Sequence, residues 1–260
     1  MMSNRIRSLP AGWILPWLLP VSIVVFWQVA AQSGWLSTRI LPAPLDVLKA
    51  GAQLAASGEL YHHFWASFKR AAIGLLIGGS IGFLLGFITG LSRLAQDLLD
   101  SSIQMVRNVP LLALIPLVIL WFGIGEEGKI FLVALAVFFP IYLNTFHGLR
   151  SVDKDLIEMG RTYGLSRLGL FREVILPGAL PSILVGLRMS LGYMWLFLVV
   201  AETISSSEGI GYMTMNAREF LQTDVMVLGI AFYALLGKTS DVLAGLLEGH
   251  WLKWHAGYRT

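Results

Sequence analysis

Long apolar runs separated by short polar stretches set the pattern of this chain. Six runs dominate it, at residues 12–32, 69–91, 109–125, 130–149, 180–201 and 225–247. A helix needs roughly 20 residues to cross a hydrocarbon layer about 30 Å thick. The runs lack the polar/apolar alternation of a barrel strand, and a backbone in lipid has to satisfy its own hydrogen bonds. Each run is therefore predicted to be a membrane-spanning helix, which gives an all-α integral membrane protein of six transmembrane helices in one domain covering residues 1–260.

Composition strengthens that reading. Of the 260 residues 56% are hydrophobic and only 13% are charged, against roughly 25% charged in soluble domains. The first run follows Arg5 and Arg7 as a signal peptide would, but it is too long for a typical h-region and lacks an obvious cleavage site, so an uncleaved anchor is expected. Lysine and arginine between the runs set orientation. With the N-terminus cytoplasmic, inner segments hold 11 (Arg5, Arg7, Arg93, Arg107, Arg150, Lys154, Arg161, Arg167, Arg172, Lys253 and Arg259) and outer segments 6 (Arg39, Lys49, Lys69, Arg70, Lys129 and Arg218). This bias favours both termini inside. The absence of cysteine excludes disulfides and cysteine-ligated metals, and no metal site is expected.

The segment 150–178 then falls on the cytoplasmic side, and it is unusually ordered for a loop. Asp153 can N-cap a helix with Asp155 in its first turn, where carboxylates suit the helix dipole. Val152, Leu156, Met159 and Tyr163 recur at helical spacing, and Gly164 stands where a helix end wants a left-handed residue. Ser166 can cap a second short helix until Pro177 disfavours helix at Leu176. The pattern predicts a helix, a glycine turn, a second helix and a proline hinge into the next span. Its apolar stripe needs cover, from a soluble partner or from the membrane surface. A charged loop that only fixes topology is the alternative.

Glu158, Gly164 and Leu176-Pro177 resemble the cytoplasmic loop of bacterial binding-protein-dependent ABC importer permeases, whose pattern is Glu-Ala-Ala, three residues, Gly, nine residues, Ile-x-Leu-Pro. The alanines fall on Met159 and Gly160 and the isoleucine on Val174, which are departures, whereas the spacing from Glu158 through Gly164 to Pro177 is intact. The stretches "GWLSTRILPAP", "SIQMVRNVPLLALIPLVILWFGIG" and "NAREFLQTDV" look closest, within that family, to permeases of aliphatic-sulfonate importers, a group that also serves taurine and nitrate-like anions. The resemblance implies a six-span subunit of the bacterial inner membrane that works as a homodimer. It also implies two ATP-binding subunits docked on the loop, a periplasmic solute-binding protein, lipid around the spans and no nucleic acid. ATP-Mg would then sit on the partner subunit, with no cofactor and no catalytic residue in this chain. Alternatives are the same kind of permease for taurine or a nitrate-like anion, and, from another class, a transporter driven by an ion gradient. The latter favours internal repeats and a carboxylate near a span centre. Neither a clear repeat nor an Asp or Glu at such a centre is evident.

Two enzyme motifs occur in the wrong setting. "GKT" at Gly237–Thr239 could end a phosphate-binding loop, but Phe232 replaces its first glycine and the tripeptide lies in the sixth run. Lys238 and Asp241 are expected to pair on one helix face near the cytoplasmic end. "GGSIG" at residues 78–82 has the spacing of a nucleophile elbow, yet Ser80 lies in mid-helix. Gly74, Gly78, Gly82, Gly86 and Gly90, each four apart, read better as a ridge for close helix packing.

Pro110, Pro116 and Pro140 fall at or within the third and fourth runs and can bend them. Arg188, two turns into the fifth run, either attracts an anion or reaches the cytoplasmic interface; Glu202 lies near that run's outer end, and Asn144 and His147 read as satisfied polar residues. The outer stretch Glu202–Asp224 carries Tyr212, Met213, Met215 and Phe220 in a pattern too short to cross the bilayer. It forms either a re-entrant helix, as the resemblance implies, or an interfacial one. Arg188, Met213, Asn216 and Arg218 are the candidate pathway residues, with Arg218 the best placed to steer a sulfonate.

Overall fold

The computed structural model describes residues 11–254; Arg5, Arg7 and Arg259 lie outside the described residues. Helix is the regular structure throughout them. In order come α1 (Ala11–Gln32), α2 (Pro44–Ser57), α3 (Glu59–Leu91), α4 (Arg93–Arg107), a 3-10 turn (Leu111–Leu114), α5 (Ile115–Phe122) and α6 (Glu126–Arg150). They are followed by α7 (Lys154–Thr162), α8 (Arg167–Leu170), a π turn (Phe171–Ile175), α9 (Leu176–Ser205), α10 (Ile210–Glu219) and α11 (Thr223–Trp251). Among the described residues, four helices are long and apolar enough to cross a membrane, or five if the bent pair of α4 with 111–122 is one span.

Two of the expected boundaries move. The run beginning at residue 69 belongs to a helix that starts ten residues earlier, at Glu59, so Arg70 lies inside α3 and not in a loop. The run 109–125 is helical only over Leu111–Phe122, as a 3-10 turn leading into α5, and the chain turns by 85° between α4 and that stretch, with Pro110 in the break and Pro116 in the first turn of α5. A proline fixes φ and lacks the N–H that a continuing helix would need. Pro140 has a milder effect, because α6 continues through it.

The described residues form two compact units. One contains the chain through Tyr61 together with Met213–Ala231, and the other contains His62–Tyr212 with Phe232 onward. In the first, Leu45 N–H donates to Gln28 Oε1, and Gly51 lies close against Leu228. Most of α1 shows its large side chains to the surroundings, including Trp17, Leu19 and Phe26.

The second unit is built on α3, α6 and α9, with the last part of α11 beside them. Its arrangement inverts that of a water-soluble core: Gly74, Gly78, Gly82 and Gly86 are buried, while Leu76, Ile77, Ile81 and Leu84 on the same helix point outward. Lipid is as apolar as leucine, so burial of large side chains yields little there and close backbone packing decides association. A Cβ on Gly78 would stand 2.0 Å from the Ala134 carbonyl oxygen, and one on Gly82 2.6 Å from that of Phe138. The glycine ridge therefore packs on α6 of the same chain. Where α3, α6 and α9 meet, Ala71, Val133, Val137, Ile141, Met194, Trp195 and Leu198 form the main apolar cluster.

This packing is checkable at neighbouring positions. Gly78→Ala forces α3 from the α6 backbone and is expected to cost about 1–3 kcal/mol, as overpacking does. Gly79→Ala meets side-chain methyls, the flexible tip of Ile141 at 3.3 Å and Val137 at 3.9 Å, and should be near neutral in a thermal unfolding assay of the purified protein.

Candidate functional site

The segment from Arg150 to Pro177 forms the expected helix, glycine turn and second helix. Asp153 caps α7 by accepting the Asp155 N–H at 2.9 Å, and Ser166 caps α8 by accepting that of Gly169 at 3.1 Å. Gly164 adopts φ +80°, with Leu165 N–H donating to Gly160 C=O and Gly164 N–H to Arg161 C=O. Those two bonds close the end of α7 in a Schellman arrangement. A Cβ on Gly160 would stand 2.9 Å from Leu170, so a small residue is needed where α7 folds back on α8. Pro177 does not make a hinge. The π turn widens the coil around Glu173, the residue whose carbonyl the proline ring would otherwise meet, and α9 follows without a break.

The loop is fastened at three places. Phe171 meets Phe87 of α3 edge-on at 5.5 Å; Val152, after α6, packs on Gly178; and Ala179 of α9 is fully buried against Leu149 and Val152. Its other side is uncovered. Leu156, Met159 and Tyr163 are 47%, 51% and 81% exposed, and with Val174, Pro177 and Trp254 they line a groove of about 720 Å³. Glu158 is exposed beside them. An ordered apolar face of this kind marks an interaction surface.

At the opposite ends of α6 and α9 lies a charge cluster absent from the expected site residues. Arg70, 2% exposed, binds Glu126 through Nε and Nη2, and its Nη1 donates to Glu202 Oε1 and to the Glu208 carbonyl, each at 2.8 Å. Glu202, 1% exposed, accepts from Ser67 Oγ, from the Tyr233 hydroxyl at 3.1 Å and from Gly211 N–H at 2.9 Å. Ser67 Oγ accepts the Ile210 N–H, and His63 Nδ1 accepts that of Gly209. The first turn of α10 is thus held by a carboxylate, where the positive end of a helix favours one. Gly209 has φ +115°, and a Cβ there would stand 2.5 Å from the Glu202 carboxylate. Every donor of Arg70 faces a carboxylate or carbonyl, so the cluster is a tie and not an anion site.

The candidate pathway residues separate. Met213 is buried, Asn216 half-buried and Arg218 exposed in the first unit, where Arg218 leans on Met215. Arg188 belongs to the second unit, where two carboxylates of α11 hold it. Its Nε donates to Asp241 at 2.6 Å and its Nη1 to Glu248 at 3.0 Å. Lys238 and Asp241 pair at 3.4 Å as expected, but they lie near the middle of α11 and not at its end, so a carboxylate does stand close to a helix centre. Gly237–Thr239 is helical there and offers no phosphate loop, and Ser80 lies within α3.

The model of the family described as binding-protein-dependent transport system inner membrane component matches residues 78–253. The chain belongs to this family. Over 249 residues, 95% of each chain, it is 64% identical to a protein of Escherichia coli K12 provisionally named aliphatic sulfonates transport permease protein SsuC. The Bacillus subtilis protein of the same name is 46% identical over 95% of this chain and 90% of its own. The taurine transport system permease protein TauC of Escherichia coli is 39% identical over 91% and 88%. An amino acid ABC transporter structure shares the fold at TM-score 0.59 and 18% identity, covering 76% of this chain and 96% of that one. Membership makes this a multi-pass transport component, and its Glu158–Gly164–Pro177 segment is where this family member keeps its ordered, uncovered loop.

The Arg70 tie predicts a large effect from a single substitution. Arg70→Met leaves the buried Glu202 carboxylate without a counter-cation and should lower stability by about 3–5 kcal/mol. Arg70→Lys should recover only part of it, since one ammonium cannot reach Glu126, Glu202 and the Glu208 carbonyl together. A thermal midpoint for Arg70→Met equal to that of the unmodified protein contradicts the tie.

Proposed function

We propose that the chain is the membrane-spanning subunit of an ATP-driven importer for aliphatic sulfonates in the bacterial inner membrane. The observation that carries the reading is its likeness, over 95% of its length, to two permeases named for those substrates. The taurine permease is a more distant relative, so taurine is the secondary substrate to test.

In this reading one transmembrane domain holds six spans: α1, α3, the bent pair of α4 with α5, α6, α9 and α11. The lysine and arginine bias sets both termini inside. The 150–178 loop then faces the cytoplasm, and Glu158, Met159, Gly160, Tyr163, Gly164, Val174, Leu176 and Pro177 make the dock for an ATP-binding subunit. That subunit carries ATP-Mg and hydrolyses it. Two copies of this chain, two ATPase copies and a periplasmic solute-binding protein form the importer. The loop suits mechanical work because it is rigid on its inner side and apolar on its outer one. Motion at the groove reaches α3 through Phe171 and Phe87, and α6 and α9 through Val152 and Ala179.

Arg188, Met213, Asn216 and Arg218 are the residues proposed along the pathway. A lone charge at the centre of a lipid-facing helix costs at least about 2.5 kcal/mol. The exposed side chains of Arg188, Asp241 and Lys238 therefore suit a face turned to water within the dimer and not to lipid.

The test is uptake of labelled ethanesulfonate into vesicles that contain the chain, its ATPase partner and its binding protein. ATP-dependent uptake, outcompeted more strongly by other alkanesulfonates than by taurine, is the expected result; uptake of taurine alone reassigns the substrate. Gly164→Ala puts a Cβ on a left-handed residue at about 1–2 kcal/mol of local strain. It should uncouple ATP hydrolysis from uptake while the spans stay folded. Undiminished coupling in Gly164→Ala and Glu158→Ala together removes the loop from the mechanism.

A further inference from the structure

Four ionised side chains on α9 and α11 form one row of alternating sign. Lys238 Nζ lies 3.4 Å from Asp241 Oδ2, Asp241 Oδ1 lies 2.6 Å from Arg188 Nε, and Arg188 Nη1 lies 3.0 Å from Glu248 Oε2. The two carboxylates are not equivalent. The Glu248 side chain is 5% exposed, and its Oε1 is buried with no hydrogen-bond partner among the described residues. The Asp241 side chain is 39% exposed and shared by two cations, whose own side chains are 43% (Arg188) and 71% (Lys238) exposed. Glu248 is thus a fixed anchor for the guanidinium, and Asp241 is the accessible counter-ion.

An arginine and a lysine left bare in a membrane-embedded passage would be a trap. Conduction needs binding favourable enough to admit an ion and weak enough to release it. A carboxylate already between the two cations meets both conditions: it can swing aside to admit a monoanion, and because it stays tethered to α11 the added negative charge then favours the visitor's release. A sulfonate group has the charge of a carboxylate and three acceptor oxygens. A guanidinium presents five N–H donors, of which those on Nε and Nη1 are engaged among the described residues, so its fork keeps donors for a visitor.

We propose that Asp241 is a resident stand-in for the transported anion: a sulfonate displaces it from Arg188 and Lys238 during passage, and Asp241 reclaims both cations as the sulfonate leaves. The proposal rests on the reading of the chain as an organosulfonate permease and supplies that reading with a site. Asp241 is in this scheme a residue that sets turnover and anion selectivity, and Glu248 positions Arg188 for the exchange. No covalent chemistry is involved.

The experiment is ATP-driven uptake of labelled ethanesulfonate by the complete importer in proteoliposomes, in chloride and again in gluconate. Asp241→Asn unmasks the cations, so uptake in chloride should fall about tenfold, the scale of one charge-assisted hydrogen bond, and recover in gluconate, a bulkier anion that competes less well than chloride for the two cations. Arg188→Gln should fall as far and not recover in gluconate. The double variant should stay as slow as Arg188→Gln, because neutralising both partners restores charge balance but not a site. Recovery of full uptake in the double variant would mean that the pair only braces two helices, and it overturns the proposal; so does unchanged uptake in Asp241→Asn. Should Asp241→Asn fail to assemble, Lys238→Gln at the most exposed position decides: a severalfold loss with normal assembly supports the exchange, and full uptake overturns it. If the unmodified importer moves no ethanesulfonate with ATP while its ATPase responds to another solute, the substrate reading fails first and the exchange scheme falls with it.

Discussion

Contact between two helix backbones, α3 against α6, is the constraint on which the second unit depends. It needs five glycines on one face, and at Gly78 there is no room for even a methyl group. In water such a face would be a poor investment, since it buries little apolar area. In lipid it is favourable, because dispersion and close approach replace the hydrophobic effect as the source of association. The large side chains are released to the outside, where hydrocarbon receives them.

From that seam the rest of the unit follows. With α3 and α9 both packed on α6, the ends of the three helices are brought together twice. At one end the Arg70 tie joins Ser67 and Arg70 of α3, Glu126 of α6 and Glu202 of α9, and holds the first turn of α10. At the other end Phe87, Val152 and Ala179 carry the ordered loop. Buried ion pairs are weak stabilisers but strict about geometry. The tie therefore specifies how the three helices meet more than it strengthens them. Packed side chains run continuously from the loop to the Arg70 tie beside the α10 turn.

Much of this was legible in the sequence, for identifiable reasons. Glycines four apart announce a packing face, and the caps of α7 and α8 are local signals: Asp153 before Asp155, Ser166 three residues before Gly169, and Gly164 at the turn. The Arg70 tie was not legible, because Glu126 and Glu202 lie 56 and 132 positions away along the chain. An arginine beside an apolar run looks like a loop boundary until the helix before it is known to begin at Glu59. The same holds for Arg188, whose partners lie 53 and 60 positions on. Pro177 misled for the opposite reason: the local rule against helix before proline is sound, and a π turn circumvents it.

The central claim is that the uncovered face of Leu156, Met159 and Tyr163 belongs against a separate ATPase. Because the chain has no cysteine, a single one introduced at Tyr163 can report its neighbour directly. The full chain carrying Tyr163→Cys would be treated in native membranes with a short thiol-to-amine cross-linker, and the product identified by mass spectrometry. A covalent adduct with a soluble protein that contains a complete phosphate-binding loop, formed less readily when Gly164 is also replaced by alanine, is the predicted result. Adducts confined to lipid amines or to the chain itself, in vesicles that still take up ethanesulfonate, would contradict it.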